Sequence, residues 1–145
     1  MNNPLADLET DPRFPSGPWT GFFLQRLIPG RHYMELRLTF RDGIMVGQGR
    51  DYVGVFVIQG RYQIADGHCF WTKTYLGRHN VTYKGFNEGK GIWGVWEINE
   101  KGYQPMRGGF HIWPEGMPDP SQPQLSEHVD LPQEVEEREP QLVPV

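Results

Sequence analysis

Asp51, in Arg50-Asp51-Tyr52 next to Gly54, is the first residue of this sequence whose type and setting offer chemistry. A carboxylate at a strand end can hydrogen-bond a ligand, or take a proton if burial raises its pKa. It also serves the plainer purpose of capping a turn. Lys73, Tyr75, His79 and Tyr83 follow close together. Their ammonium, phenol and imidazole groups suit an anionic or hydroxylated ligand. Which of them share a face depends on the turn at Gly77-Arg78. A two-residue turn pairs Leu76 with His79 and Thr72 with Tyr83, leaving Lys73 and Tyr75 on an exposed ladder, the orientation favoured here. A three-residue turn pairs Lys73 with Tyr83 and Tyr75 with Val81, and the faces exchange. Trp19 and Trp96 join the candidate ligand contacts as aromatic surface, together with Trp71, Trp93 and Trp113.

Other chemistry finds less support. The five histidines (His32, His68, His79, His111, His128) lack metal-ligand spacing, and neighbouring His68 and Cys69 point to opposite faces of a strand. His111 is the one candidate axial ligand for a haem-binding barrel, and a surface position explains it more simply. Cys69 has no neighbouring base and cannot form an internal disulfide. With no glycine-rich loop before a helix there is no phosphate cradle, so no metal and no cofactor is expected. Scattered Arg and Lys among aromatics fall short of a nucleic-acid platform.

The elements that must position these groups are strands. The sequence has 145 residues, 37% of them hydrophobic and 13% aromatic, which suits one domain. Its middle shows short runs of Val, Ile, Tyr, Phe and Trp between Gly, Asp and Asn turn signals, without the spacing of a long amphipathic helix. Strands are expected at 19–27, 32–41, 44–50, 54–63, 68–76, 80–86, 91–98 and 108–113. Asp42-Gly43 and Asp66-Gly67 read as tight hairpin turns. The short connections make sequential strands neighbours and exclude crossover helices. The expected fold is all-β, an eight-stranded antiparallel up-and-down barrel whose closure removes its edges. In the second strand Met34, Leu36, Leu38 and Phe40 alternate with polar residues, and a two-residue turn sets Phe40 opposite Met45, Leu38 opposite Gly47 and Leu36 opposite Gly49.

Three segments differ in composition. Residues 1–17, with four prolines by position 18, read as a flexible segment; 18–113 form the barrel; and 114–145, rich in Pro, Gln and Glu and without an aromatic, read as a disordered acidic tail. Counting Asp and Glu against Lys and Arg gives −2, +5 and −7 for the three, which sum to the net charge of −4. One or two helical turns at 132–139 are the only regular structure the tail suggests. There is neither a secretory signal nor a run of 18 apolar residues, so a soluble, cytoplasmic protein with no membrane partner is expected.

The start Ser16-Gly17-Pro18-Trp19-Thr20-Gly21-Phe22-Phe23, followed by a meander, resembles the first strand of calycin-type barrels, the lipocalin, fatty-acid-binding and avidin-like group. The resemblance covers strand number and order over 18–113 and implies that Trp19 closes one barrel end. The biotin contacts and the later lipocalin motifs have no counterpart, so no ligand is implied. The runs 49–60 and 73–85 read as a family signature without an attached activity. Eight strands enclose room for packed side chains or one small ligand. The expected function is therefore non-catalytic binding of a small, partly apolar or aromatic molecule. The alternative is a protein-interaction or homo-oligomerisation domain. An enzyme using Asp51, His79 and Tyr83 as acid and base ranks last.

Overall fold

The computed structural model describes residues 7–122. Eight strands follow one another: β1 (Gly17–Phe23), β2 (His32–Arg41), β3 (Ile44–Asp51), β4 (Gly54–Tyr62), β5 (His68–Tyr75), β6 (Asn80–Asn87), β7 (Ile92–Ile98) and β8 (Met106–Pro114). Each pairs antiparallel with the next, and β8 pairs with β1 to close the barrel. Among the described residues no helix is long and apolar enough to cross a membrane.

Turn chemistry sets most strand boundaries. Asp42 (φ 49°) and Gly43 (φ 78°) make the two-residue turn between β2 and β3, and both take left-handed backbone that these residue types tolerate. Phe40 accordingly faces Met45, Leu38 faces Gly47 and Leu36 faces Gly49. The β4–β5 connection is longer than a tight hairpin. The Gln63 N–H donates to the His68 carbonyl and the Gly67 N–H back to the Gln63 carbonyl, enclosing 64–67, while Asp66 caps the His68 N–H at 2.9 Å. The first strand stops at Phe23, and residues 24–31, with Pro29 and Gly30, form the loop to β2.

The inward face holds large side chains against glycines. A methyl group on Gly49 would meet the Phe56 ring at 2.7 Å and the Glu35 carbonyl at 2.3 Å; one on Gly47 would meet Leu38 at 2.7 Å. Glycine lets the strands coil tightly here while aromatic rings fill the interior. Trp71 stacks on Tyr83 (5.1 Å, 9°), and Phe110 meets both edge-on.

One barrel end is plugged. Residues 7–16, expected to belong to a flexible leader, lie across it, and Phe14 is fully buried against Tyr62 (4.8 Å) and Phe40 (5.4 Å). Polar anchors hold this strap. The Arg13 guanidinium donates to Asp11, to the Ile64 carbonyl (2.7 Å) and to the Asn87 carbonyl (3.3 Å). Asn87 Nδ2 returns a bond to the Arg13 carbonyl (2.6 Å), and the Tyr62 hydroxyl donates to Glu9 (2.7 Å). The segment stays ordered because one aromatic side chain and several backbone partners offset its ordering entropy, which proline content alone does not reveal. Trp19 completes this end, its indole N–H bonded to the Pro15 carbonyl at 2.8 Å.

Outside the barrel, Phe22, Leu24 and Trp113 form a small separate cluster with Met117. Arg31 lies over Phe22 at 4.2 Å and pairs with Asp119 at 3.1 Å, so the chain just after β8 packs against the wall. The suggested turns at 132–139 lie outside the described residues.

Candidate functional site

The opposite barrel end, where β1, β3, β5 and β7 finish, opens into a cavity of about 340 Å³. Exposed Tyr52, Tyr103 and Gln104 stand at its entrance with half-buried His79. Phe23, Val81, Tyr83, Trp96 and Ile98 line it further in, with Lys73 and Tyr75.

The orientation of Lys73 is the main departure from expectation. The β5–β6 turn contains three residues, 76–78: the Tyr75 N–H donates to the His79 carbonyl (3.2 Å), the Arg78 N–H donates to the Tyr75 carbonyl (3.0 Å), and Gly77 takes φ 72°. Lys73 lies opposite Val81, and Trp71 opposite Tyr83. This register is displaced by two residues from the three-residue pairing anticipated above, which preserves the faces. Lys73 and Tyr75 therefore point inward, and the exposed ladder favoured from the sequence is corrected.

Inside, Lys73 is 1% exposed. Its Nζ lies 2.9 Å from Asp51 Oδ2, and the Tyr75 hydroxyl donates to the same oxygen at 2.6 Å. The other carboxylate oxygen accepts the Val53 N–H at 2.9 Å. Asp51 thus caps the two-residue β3–β4 turn, the plainer role offered by the sequence, and also anchors the buried cation, which the sequence reading did not include. Four rings surround the ammonium: Phe56 at 4.5 Å, Tyr75 at 4.7 Å, Phe23 at 4.9 Å and Tyr83 at 5.3 Å. Their faces supply part of the stabilisation that water would give.

Burial dominates the electrostatics. It lowers the Lys73 ammonium to about 8, with the Asp51 carboxylate opposing the shift. Burial also raises the Tyr75 phenol far beyond its ordinary value, helped by the neighbouring Tyr83 and Asp51, and raises Tyr83. Partial burial lowers the His79 imidazolium, which favours the neutral ring. At neutral pH the inner site therefore holds an ion pair, two neutral phenols and a neutral imidazole.

Five of the sequence candidates, Lys73, Tyr75, His79, Tyr83 and Trp96, line this cavity, and Asp51 lies behind Lys73. Trp96 faces inward but spends its indole N–H on the Leu24 carbonyl at 2.9 Å, so it offers a surface rather than a donor. Trp19 belongs to the plugged end. The acid–base trio of Asp51, His79 and Tyr83 is not linked by hydrogen bonds; Asp51 is engaged by Lys73 and Tyr75 instead. His111, the haem candidate, lies on the outer face between Phe22 and Trp93, its Nε2 2.7 Å from the Lys90 carbonyl. Phe23, Phe56 and Tyr52 were not foreseen. The alternation Cys69, Trp71, Lys73, Tyr75 against Phe70, Thr72, Thr74 is a signal for an inward lysine, because residues two before and two after it are large and apolar.

Comparison with protein-family models, with curated proteins and with solved structures gives no match for this chain. The closed eight-stranded antiparallel barrel is compatible with the calycin type, and the functional reading rests on the site itself.

Proposed function

We propose that the chain is a binding module whose barrel mouth takes one small, partly apolar molecule carrying a hydrogen-bond acceptor. The observation that carries this reading is the unequal filling of the barrel. One end is closed by Phe14, Trp19, Phe40 and Tyr62, while the other keeps a cavity of about 340 Å³ within the usual range for small-molecule sites. Apolar walls offer hydrophobic burial, and Lys73 with the Tyr83 hydroxyl offers donors. Tyr83 Oη has no hydrogen-bond partner among the described residues, and a ligand carbonyl or hydroxyl would satisfy it.

Native mass spectrometry of protein purified from cells tests this. A stoichiometric excess mass, lost when Val53→Trp fills the entrance, is the expected result. A clean apo mass, together with failure of an apolar fluorescent probe to bind, would overturn the reading.

One observation favours a second role. Tyr33, Phe22, His111, Trp93, Phe86 and His68 lie in one lateral row across the outside of β2, β1, β8, β7, β6 and β5. Tyr33, Trp93 and Phe86 are exposed by 60%, 47% and 43%. Such a band suits contact between proteins. Sedimentation of the wild type against Trp93→Glu checks it: self-association that the charge abolishes supports an oligomerisation surface, and a concentration-independent monomer removes it.

A further inference from the structure

We infer that Lys73 captures a small aldehyde or ketone covalently, as a protonated imine, and that the cavity is built to hold that adduct. The inference rests on the binding role proposed above and assigns it a class of ligand and a reacting atom.

A lysine needed only for solubility belongs outside a barrel, and a buried charge is expensive to retain. Here the ammonium sits within the cavity wall, and all its charged contact is with one carboxylate, Asp51 at 2.9 Å. The remaining surroundings are rings and the Met34 sulfur at 3.9 Å. Desolvation among apolar groups is a condition that makes a lysine an amine nucleophile towards carbonyl compounds, and the carboxylate beside it, which favours the ammonium, is placed to accept the proton that must leave. Burial acts in the same direction by lowering its proton affinity.

The balance closes without any further reagent. Lys73 passes a proton to Asp51, and the neutral Nζ forms a bond to the carbonyl carbon. A proton then moves from the attached nitrogen to the former carbonyl oxygen, giving a neutral carbinolamine. Asp51 returns its proton to the carbinolamine hydroxyl, which leaves as water as the C–O bond breaks, and the nitrogen of the resulting C=N bond keeps one proton. The net change is ammonium plus carbonyl to iminium plus water, with charge unchanged. This conservation matters in a buried site. The iminium still faces Asp51, so no carboxylate is stranded, and the aromatic cage still surrounds a cation. A neutral acyl adduct would lose both interactions. The Tyr75 hydroxyl, 2.6 Å from the same Asp51 oxygen, holds that carboxylate in place through the proton transfers. The free Tyr83 hydroxyl is available to the oxygen of the incoming carbonyl.

Other groups around the amine are consistent with this chemistry. Tyr52 at the β3–β4 turn and His79 just after the β5–β6 turn stand at the entrance, and neither side chain is an amine that would compete for the carbonyl. Within the cavity no second amine competes, since Lys84, Lys90 and Lys101 are exposed and serve as internal controls.

The test uses the full chain with cinnamaldehyde and cyanoborohydride, which reduces an imine to a stable secondary amine, followed by peptide mapping. The expected result is one cinnamyl group per chain on Lys73, enriched by at least an order of magnitude over each exposed lysine and suppressed by excess cinnamyl alcohol, which has the same shape but no carbonyl. Binding of the alcohol alone is followed in parallel by native mass spectrometry. If the alcohol binds while label falls only on Lys84, Lys90 and Lys101, covalent capture is overturned and the binding role stands. If the alcohol does not bind and Lys73 stays unlabelled, both are overturned. Because Lys73→Met can fail to fold, Tyr83→Phe serves as the second variant. It keeps amine, carboxylate and ring, and a several-fold slower labelling of Lys73 with an unchanged circular dichroism spectrum is expected.

Discussion

At the scale of single residues, the Lys73–Asp51 pair has an uneven energetic character. Removing one partner leaves a buried charge without its counter-ion, which costs about 3–5 kcal/mol. Removing both exchanges an ion pair for packed hydrocarbon, which is often neutral or better. Lys73→Met should therefore be severely destabilised in urea, and Lys73→Met with Asp51→Leu should recover most of the loss while losing Lys73 labelling. A double variant no more stable than Lys73→Met would show that the pair is required by the fold. The same lysine gives stability a pH signature. Its folded pKa of about 8 lies below the ordinary 10.5, so the unfolded chain binds more protons across that interval. The cost of burying the charge is then fully present below pH 8 and is relieved as pH rises. Cys69 opposes this from pH 9 upward, because burial raises its thiol to about 12 from an ordinary 9, and stability from that group is lost as pH climbs. Tyr75 and Tyr83, both raised, oppose it from their ordinary value of 10. Urea midpoints should rise between pH 8 and pH 9, and more clearly in a Cys69→Ala background; a flat or falling profile there would refute the buried ammonium.

At the scale of strands and turns, most of the barrel is legible in the sequence, and one turn explains the largest misreading. The limits of β2 coincide with expectation, and those of β3 to β6 lie within a residue, because Gly, Asp and Asn interrupt runs of β-branched and aromatic residues. The site is less legible, since side chains on a strand alternate with period two. A single residue more or less between Tyr75 and His79 decides whether Lys73 faces water or Phe56, and Gly77-Arg78 fits either length. Local turn preferences leave that choice open, while the burial of Trp71 and Tyr75 on the same face as Lys73 settles it. The glycines of β3 connect this element to the site. Gly49→Ala would press a methyl group into Phe56, whose ring meets Tyr75 edge-on at 5.7 Å and Lys73 at 4.5 Å. Overpacking of this kind costs about 1–3 kcal/mol. The expected outcome is a lowered melting temperature together with weaker ligand or probe binding, measured on the same preparation. Weakened binding without any loss of stability would place the effect elsewhere.

At the scale of the whole molecule, the stabilising plug and the cavity proposed to bind sit at opposite ends of the barrel. The plugged end concentrates fully buried aromatics and the Arg13, Asn87 and Glu9 bonds, and the open end holds the cavity and the buried Lys73–Asp51 pair. Phe14 shows why this division escaped the sequence. It stands alone among prolines and acids, with no periodic partner, and its burial follows from a barrel end that exists only once all eight strands have closed. Such a residue is a large contributor from an otherwise irregular segment, and truncating a buried phenylalanine costs about 3–5 kcal/mol. Phe14→Ala should lower the melting temperature strongly. Because the vacated space lies beside Phe40 and Tyr62, away from Lys73, whatever folds should bind at the mouth with unchanged affinity, as titration of Phe14→Ala well below its melting temperature would register. Loss of binding in the folded variant would mean that the two ends are coupled through Trp71 and the stacked core, and that the plug supports the shape of the cavity as well as the fold.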